Sequence, residues 1–144
     1  MSAEERKAMV RRIIDEAMGK GNLAIVDQIM PPNYIFHSAD GTQLSGLVAF
    51  KQYLAMARGA FSDTRYNVEA IACDGDILAV RLTFVGTNTG SLRGMPPTGK
   101  KVAIQEAVFY RFEGDKPVEE WQFINQLALF QQLGVGSPAP QPSG

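Results

Sequence analysis

Arg65-Tyr-Asn-Val-Glu-Ala-Ile-Ala-Cys73, Asp74-Gly75-Asp76 and Ile77-Leu-Ala-Val-Arg-Leu-Thr-Phe-Val-Gly-Thr87 read in one pass as strand, turn and strand. Apolar and polar residues alternate on both sides of an Asp-Gly pair, which is the composition of a β-hairpin. The pattern continues downstream. Lys101–Glu113 reads as a third long strand, Gly114-Asp115 as a turn, and Val118–Ile124 as a fourth strand. Between the second and third strands, Asn88–Lys100 is a loop rich in glycine and proline. Asn125 then caps a closing turn or helix that runs through Leu133 and ends at Gly134.

Upstream of Ser62-Asp63 the period is helical. Ser2 followed by Glu5 forms a capping box, and Val10, Ile13, Ile14, Ala17 and Met18 recur at helical spacing until Gly19 and Gly21. Asn22 is suited to cap a second, short helix with Leu23, Val26, Ile29 and Met30 inward, stopped by Pro31-Pro32. Tyr34–His37 is a short extended piece, followed by a turn-rich loop through Asp40-Gly41. Ser45 caps a third helix whose apolar stripe is Phe50, Tyr53, Leu54, Ala57 and Phe61. Helices first and a meander second define an α+β fold. Three N-terminal helices pack on a curved antiparallel sheet, and the curvature encloses a hydrophobic pocket.

The chain's 144 residues and 15.7 kDa fit one domain over residues 1–134, with a flexible Pro/Ser-rich tail over 135–144. Fourteen basic against 15 acidic residues leave a net charge of −1, no electrostatic footprint for nucleic acid or an anionic membrane. Arg6, Lys7, Arg11 and Arg12 lie among Glu4, Glu5, Asp15 and Glu16, as a solvated helix face does. With no apolar leader and no run near the ~18 apolar residues of a membrane span, a cytoplasmic protein is expected. One cysteine, Cys73, excludes an internal disulfide and reads as a buried structural thiol. One histidine, His37, excludes zinc sites built on several histidines, and neither metal nor organic cofactor is expected.

Few residues are placed to carry chemistry. His37 is either a general acid or base near neutral pH or an ordinary strand-end histidine. Trp121 serves equally as a ligand platform or as core, and it shares a strand face with Phe123 and Asn125. Glu120, Gln122 and Ile124 share the other face, so Glu119 and Glu120 are not a carboxylate pair and read as solvated edge charges. Asn125 combines a capping role with a possible place in the pocket. Glu106 falls on the otherwise apolar face of Val102, Ile104, Val108, Tyr110 and Phe112; if buried, it titrates high and is able to act as a base.

Leu92-Arg-Gly-Met-Pro-Pro-Thr-Gly-Lys-Lys-Val102 resembles the signature loop of SnoaL-like polyketide cyclases, a family of the cystatin-like α+β barrels typified by nuclear transport factor two and ketosteroid isomerase. Gly19–Leu23, Asn33–His37, Phe61–Tyr66, Glu120-Trp121 and Gln131–Gly134 resemble further family segments in the same order over roughly residues 5–134. The resemblance implies ring closure of polyketides by intramolecular aldol condensation, with an aspartate of the last strand as acid/base and without cofactor. It places that aspartate at Asn125, an amide that can polarise an oxygen but cannot take a proton at ordinary pH.

The expectation is therefore a cofactor-independent cyclase or isomerase acting on a polyketide-like or other hydrophobic carbonyl compound. Asn125 would polarise an oxygen, His37 or Glu106 would move the proton, and Trp121, Phe123 and Tyr34 would shape the pocket. The alternative is a noncatalytic small-molecule-binding or accessory domain of the same fold. Strands with two substantial apolar faces lead us to expect a homodimer.

Overall fold

The Asp74-Gly75-Asp76 segment reverses the chain through a tight turn in which Gly75 takes φ 58°, a conformation open to glycine. Cys73 then pairs with Leu78, Val68 with Leu82 and Tyr66 with Phe84, so the alternating apolar residues of both strands fall on one face. The computed structural model describes residues 1–135. In chain order these form α1 (Ala3–Arg12), a π-helical continuation (Ile13–Gly19), α2 (Ala24–Ile29), β1 (Ile35–His37) and β2 (Gln43–Ser45). Next come α3 (Leu47–Ala60), β3 (Phe61–Asp74), β4 (Ile77–Asn88), β5 (Lys101–Glu113), β6 (Lys116–Ile124) and α4 (Gln126–Leu133).

The expected α+β architecture is present. One six-stranded curved sheet runs in the order β2-β1-β6-β5-β4-β3. Neighbours are antiparallel except β1, which lies parallel to β6 with His37 opposite Trp121. Register shifts in β3, at Ser62/Arg65 and Val68/Ala70, and in β5 at Arg111/Phe112 supply local bends. The helices cover the concave face, where Ile14, Val26, Phe36, Leu78 and Tyr110 belong to one buried cluster. A second cluster, with Phe84, Ile104, Phe130 and Leu133, forms where α4 packs onto the sheet.

Several local expectations are corrected. Ser45 lies in a short strand, and the residue before α3 is Gly46 at φ 99°, with no side-chain cap. Asn22 does not cap α2, which starts from Leu23 without a side-chain bond. Arg6 is not solvated. It reaches from α1 to the two hairpin turns, donating to the Gly75 and Gly114 carbonyls and pairing with Asp76 at 3.3 Å, its guanidinium 5.0 Å over the Phe112 ring. Cys73 is half-buried at the core's edge. Of the expected tail, Val135 packs against the α4 cluster, and residues 136–144 lie outside the described residues. Among the described residues, no helix is long and apolar enough to cross a membrane.

Candidate active site

On β5, alternation buries Val102, Ile104, Val108, Tyr110 and Phe112 and places Glu106 among them, 5% exposed. Glu106 nevertheless has open space in front of it, because it lines a cavity of about 780 Å³. Helix α3 supplies one wall through Gln52, Tyr53 and Ala57, and the sheet supplies Phe84, Ile104, Gln122 and Ile124 opposite. Leu129 and Phe130 of α4 close one end. A volume of this size accommodates a multi-ring organic molecule, and the walls are mainly apolar.

The polar groups inside are few and connected. Tyr53 Oη donates to Gln122 Oε1 at 3.0 Å, which turns the amide nitrogen of Gln122 toward Glu106 Oε1, 3.5 Å away. Burial pushes the Glu106 carboxyl up to about 7, and the bond from Gln122 offsets only part of that. Burial, then the charge of Glu106, raises Tyr53 to about 12 and Tyr66 in the same wall well above the ordinary phenol value. Both phenols therefore remain protonated. The arrangement holds one carboxyl able to accept and return a proton near neutral pH, beside neutral hydrogen-bond donors.

The cavity mouth is bounded by Ser38–Thr42 on one side and Ser91–Gly94 on the other. The second segment is held by its roots. Buried Asn88 accepts from the Thr98 amide at 2.8 Å and from its hydroxyl at 3.0 Å, and donates to the Ala60 and Gly90 carbonyls. Gly90 lies so close to α3 that a Cβ there would stand 1.9 Å from the Gly59 carbonyl oxygen. Thr98 and Gly99 thus anchor the mouth loop to Asn88.

The residues expected to converge do not. Glu106 lines the cavity, whereas His37 stacks on Trp121 with ring planes 3° apart, and its Nε2 meets Glu119 Oε2 at 2.6 Å. Trp121 and Phe123 point away from the cavity because they alternate with the inward Glu120, Gln122 and Ile124, and Phe123 is 56% exposed. Asn125 lies beyond the strand, where its Oδ1 caps α4 by accepting from the Ala128 amide. Tyr34 is fully buried against Phe50 and donates to Glu120 at 2.7 Å. Glu120, read as an edge charge, is instead buried, and burial raises it to about 8. Glu119 is held low by His37 and then by Arg111.

Gln122, Tyr53 and Arg93 were missed as cavity residues. Strand parity already put Gln122 on the face opposite Trp121, and Tyr53 stood in the α3 stripe as a core residue. Nothing in the sequence pattern pointed to the loop residue Arg93.

A six-stranded curved sheet covered by helices in this order has the nuclear transport factor two and ketosteroid isomerase-like α+β fold. Within it, the family model for SnoaL-like polyketide cyclase matches residues 8–133, and the chain belongs to that family. A relative from Streptomyces sp. (strain C5), aklanonic acid methyl ester cyclase DauD, is 27% identical over 92% of this chain and 84% of that protein. The structure of AclR from Streptomyces galilaeus superposes with a TM-score of 0.81 at 28% identity, covering 92% of this chain and 98% of that one. A SnoaL-like protein of Jannaschia sp. CCS1 superposes at 0.86 with 21% identity, covering 96% and 95%.

Proposed function

We propose that the chain is a cofactor-independent cyclase acting on a hydrophobic, polyketide-like carbonyl compound, with Glu106 as its acid/base. The observation that carries this reading is the near-neutral Glu106 carboxyl in the wall of the apolar cavity. As a carboxylate, Glu106 takes a proton from the carbon next to a carbonyl. The resulting enolate carbon bonds to a second carbonyl carbon of the same molecule, and the proton on Glu106 passes to the alkoxide so formed. Proton and charge are conserved, and no external reactant is consumed. Gln122, steadied by Tyr53, is the donor nearest to Glu106 and stabilises the enolate oxygen. The cavity adds positioning by folding the chain so that the two carbons meet.

Aklanonic acid methyl ester, the compound in the name of the relative DauD, and the corresponding free acid are the first substrates to assay. Exchange of acidic C–H protons in a fused aromatic β-diketone, followed by NMR in deuterated water, tests the proton transfer directly. Exchange accelerated by the parent protein and lost in Glu106→Gln supports the reading. A probe that binds without accelerated exchange overturns it in favour of a noncatalytic binding domain. The outward patch of Trp121, Phe109 and Phe123 suits a second copy of the chain, and we propose a homodimer through it.

A further inference from the structure

Leu92 and Met95 exchange both backbone hydrogen bonds, at 3.0 and 2.8 Å, which makes Arg93-Gly94 the two central residues of a tight hairpin at the cavity mouth. Their φ angles are 50° and 78°. Turns of this form favour Asn, Asp or Gly at both places, and an arginine held there is strained. The strain persists because the loop's roots are tied down by Asn88 and by the close approach of Gly90 to α3.

Arg93 is the one cation in the cavity wall among the described residues. Its side chain is about half exposed and makes no hydrogen bond to them; its single ionic neighbour is Asp40, at 3.9 Å. Asp40 is already engaged, since its carboxylate accepts from the Ser38 hydroxyl and from the Thr42 amide, contacts that hold it well below the ordinary carboxylate range. Most of the guanidinium's donors thus have no acceptor among the described residues, and their planar fork matches a carboxylate bidentately.

We propose that Arg93 is a substrate-recognition residue that binds an anionic oxygen group, a carboxylate, on the end of the ligand that remains at the cavity mouth. The inference rests on the cavity being a site for hydrophobic carbonyl compounds, and it specifies a bipolar ligand. Its ring system enters the apolar interior toward Glu106, while its acidic end stays with Arg93. The loop is fixed at both roots, so the backbone at its tip has little entropy left to lose, and binding orders the Arg93 side chain alone.

The test compares anthracene-2-carboxylate with its methyl ester by titration calorimetry of the full chain at pH 6, below the Glu106 titration. The parent protein is expected to bind the carboxylate at least about tenfold more tightly than the ester, with the margin shrinking at about 1 M salt. Arg93→Asn keeps a residue that tolerates this backbone and removes the cation. It should abolish the margin while leaving ester affinity within about twofold, and Arg93→Lys should keep part of the margin. Equal affinity of the parent for the two probes, or a margin that survives in Arg93→Asn, overturns the role of Arg93 and leaves the cavity reading standing. Failure of the parent to bind either probe overturns both.

Discussion

Glu106 and Gln122 are diagonal neighbours on the β5–β6 ladder, Glu106 opposite Ile124 and Gln122 opposite Val108, and the amide nitrogen approaches the carboxylate to 3.5 Å. That contact is longer than a strong hydrogen bond, so the carboxylate is stabilised weakly and its pKa stays high. The same amide is pinned by Tyr53 across the cavity from the sheet. A weakly held carboxyl with a fixed neighbour is what reversible proton transfer near pH 7 requires.

Activity should therefore follow Glu106. As the base, it is competent when ionised, so the rate should rise with pH through about 7 and then level. Glu106→Gln should lower turnover by about 10²–10⁴-fold and flatten that profile. His37→Gln should leave the profile in place, because His37 lies outside the cavity against Trp121. A pH–rate profile of the three proteins checks this, and a rising limb that persists in Glu106→Gln would contradict it.

Asn125→Ala should act on stability rather than chemistry. Loss of the α4 cap costs about 1 kcal/mol. Turnover measured well below the unfolding temperature should stay within about threefold of the parent, whereas loss of an oxyanion donor costs about 10²-fold or more.

Stability should fall as pH rises. Folding raises Glu106 to about 7 and Glu120 to about 8 from an ordinary value of 4.5, both mainly by burial. Between 4.5 and those values the native state binds more protons than the unfolded chain, so its stability is full below the window and is lost across it. Each group contributes a slope of about 1.4 kcal/mol per pH unit while only the native state is protonated. Denaturant midpoints from pH 4.5 to 9 should decline, and Glu120→Gln should roughly halve the slope up to about pH 7 and remove the decline between about 7 and 8. A midpoint that rises over this range would sink the assignment.

Arg6→Met should destabilise by about 2–3 kcal/mol even though it keeps much of the packing on Phe112. It removes charged hydrogen bonds to the carbonyls of both hairpin turns, at Gly75 and Gly114. Chemical denaturation measures the loss, and hydrogen exchange should localise it to the turn ends of β3–β6.

Sedimentation at micromolar concentration should give about twice the chain's 15.7 kDa. Phe123→Glu, at a 56% exposed position outside the cavity, should return the protein to a monomer with its fold intact by circular dichroism. A monomeric parent would refute the interface.

Local periodicity determined the elements. Alternation in residues 65–87 and 101–124 specified a meander and the parity of each strand, because successive side chains of a strand must point to opposite faces. The split between Trp121 and Gln122, and the place of Glu106 on the apolar face of its strand, followed from that alone. Residues 101–113 formed the expected strand, with its bounds unchanged. The closing cap at Asn125 was legible for the same reason, since capping involves only neighbours in the chain.

What parity could not say is which face encloses the cavity, and so Trp121, Phe123 and Asn125 were expected in a pocket that Gln122 and Glu106 occupy. Only the packing of α3 and α4 over one side of the sheet decided it. The remaining surprises are also long-range. Arg6 is buried because two turns far along the chain converge on it, and Glu120 because Tyr34 of a distant segment covers it. Arg93 faces the cavity because the loop roots fold onto Asn88 and Gly59. A sequence records how a residue relates to its chain neighbours, while burial, pKa and access depend on which remote segments the folded chain brings against it.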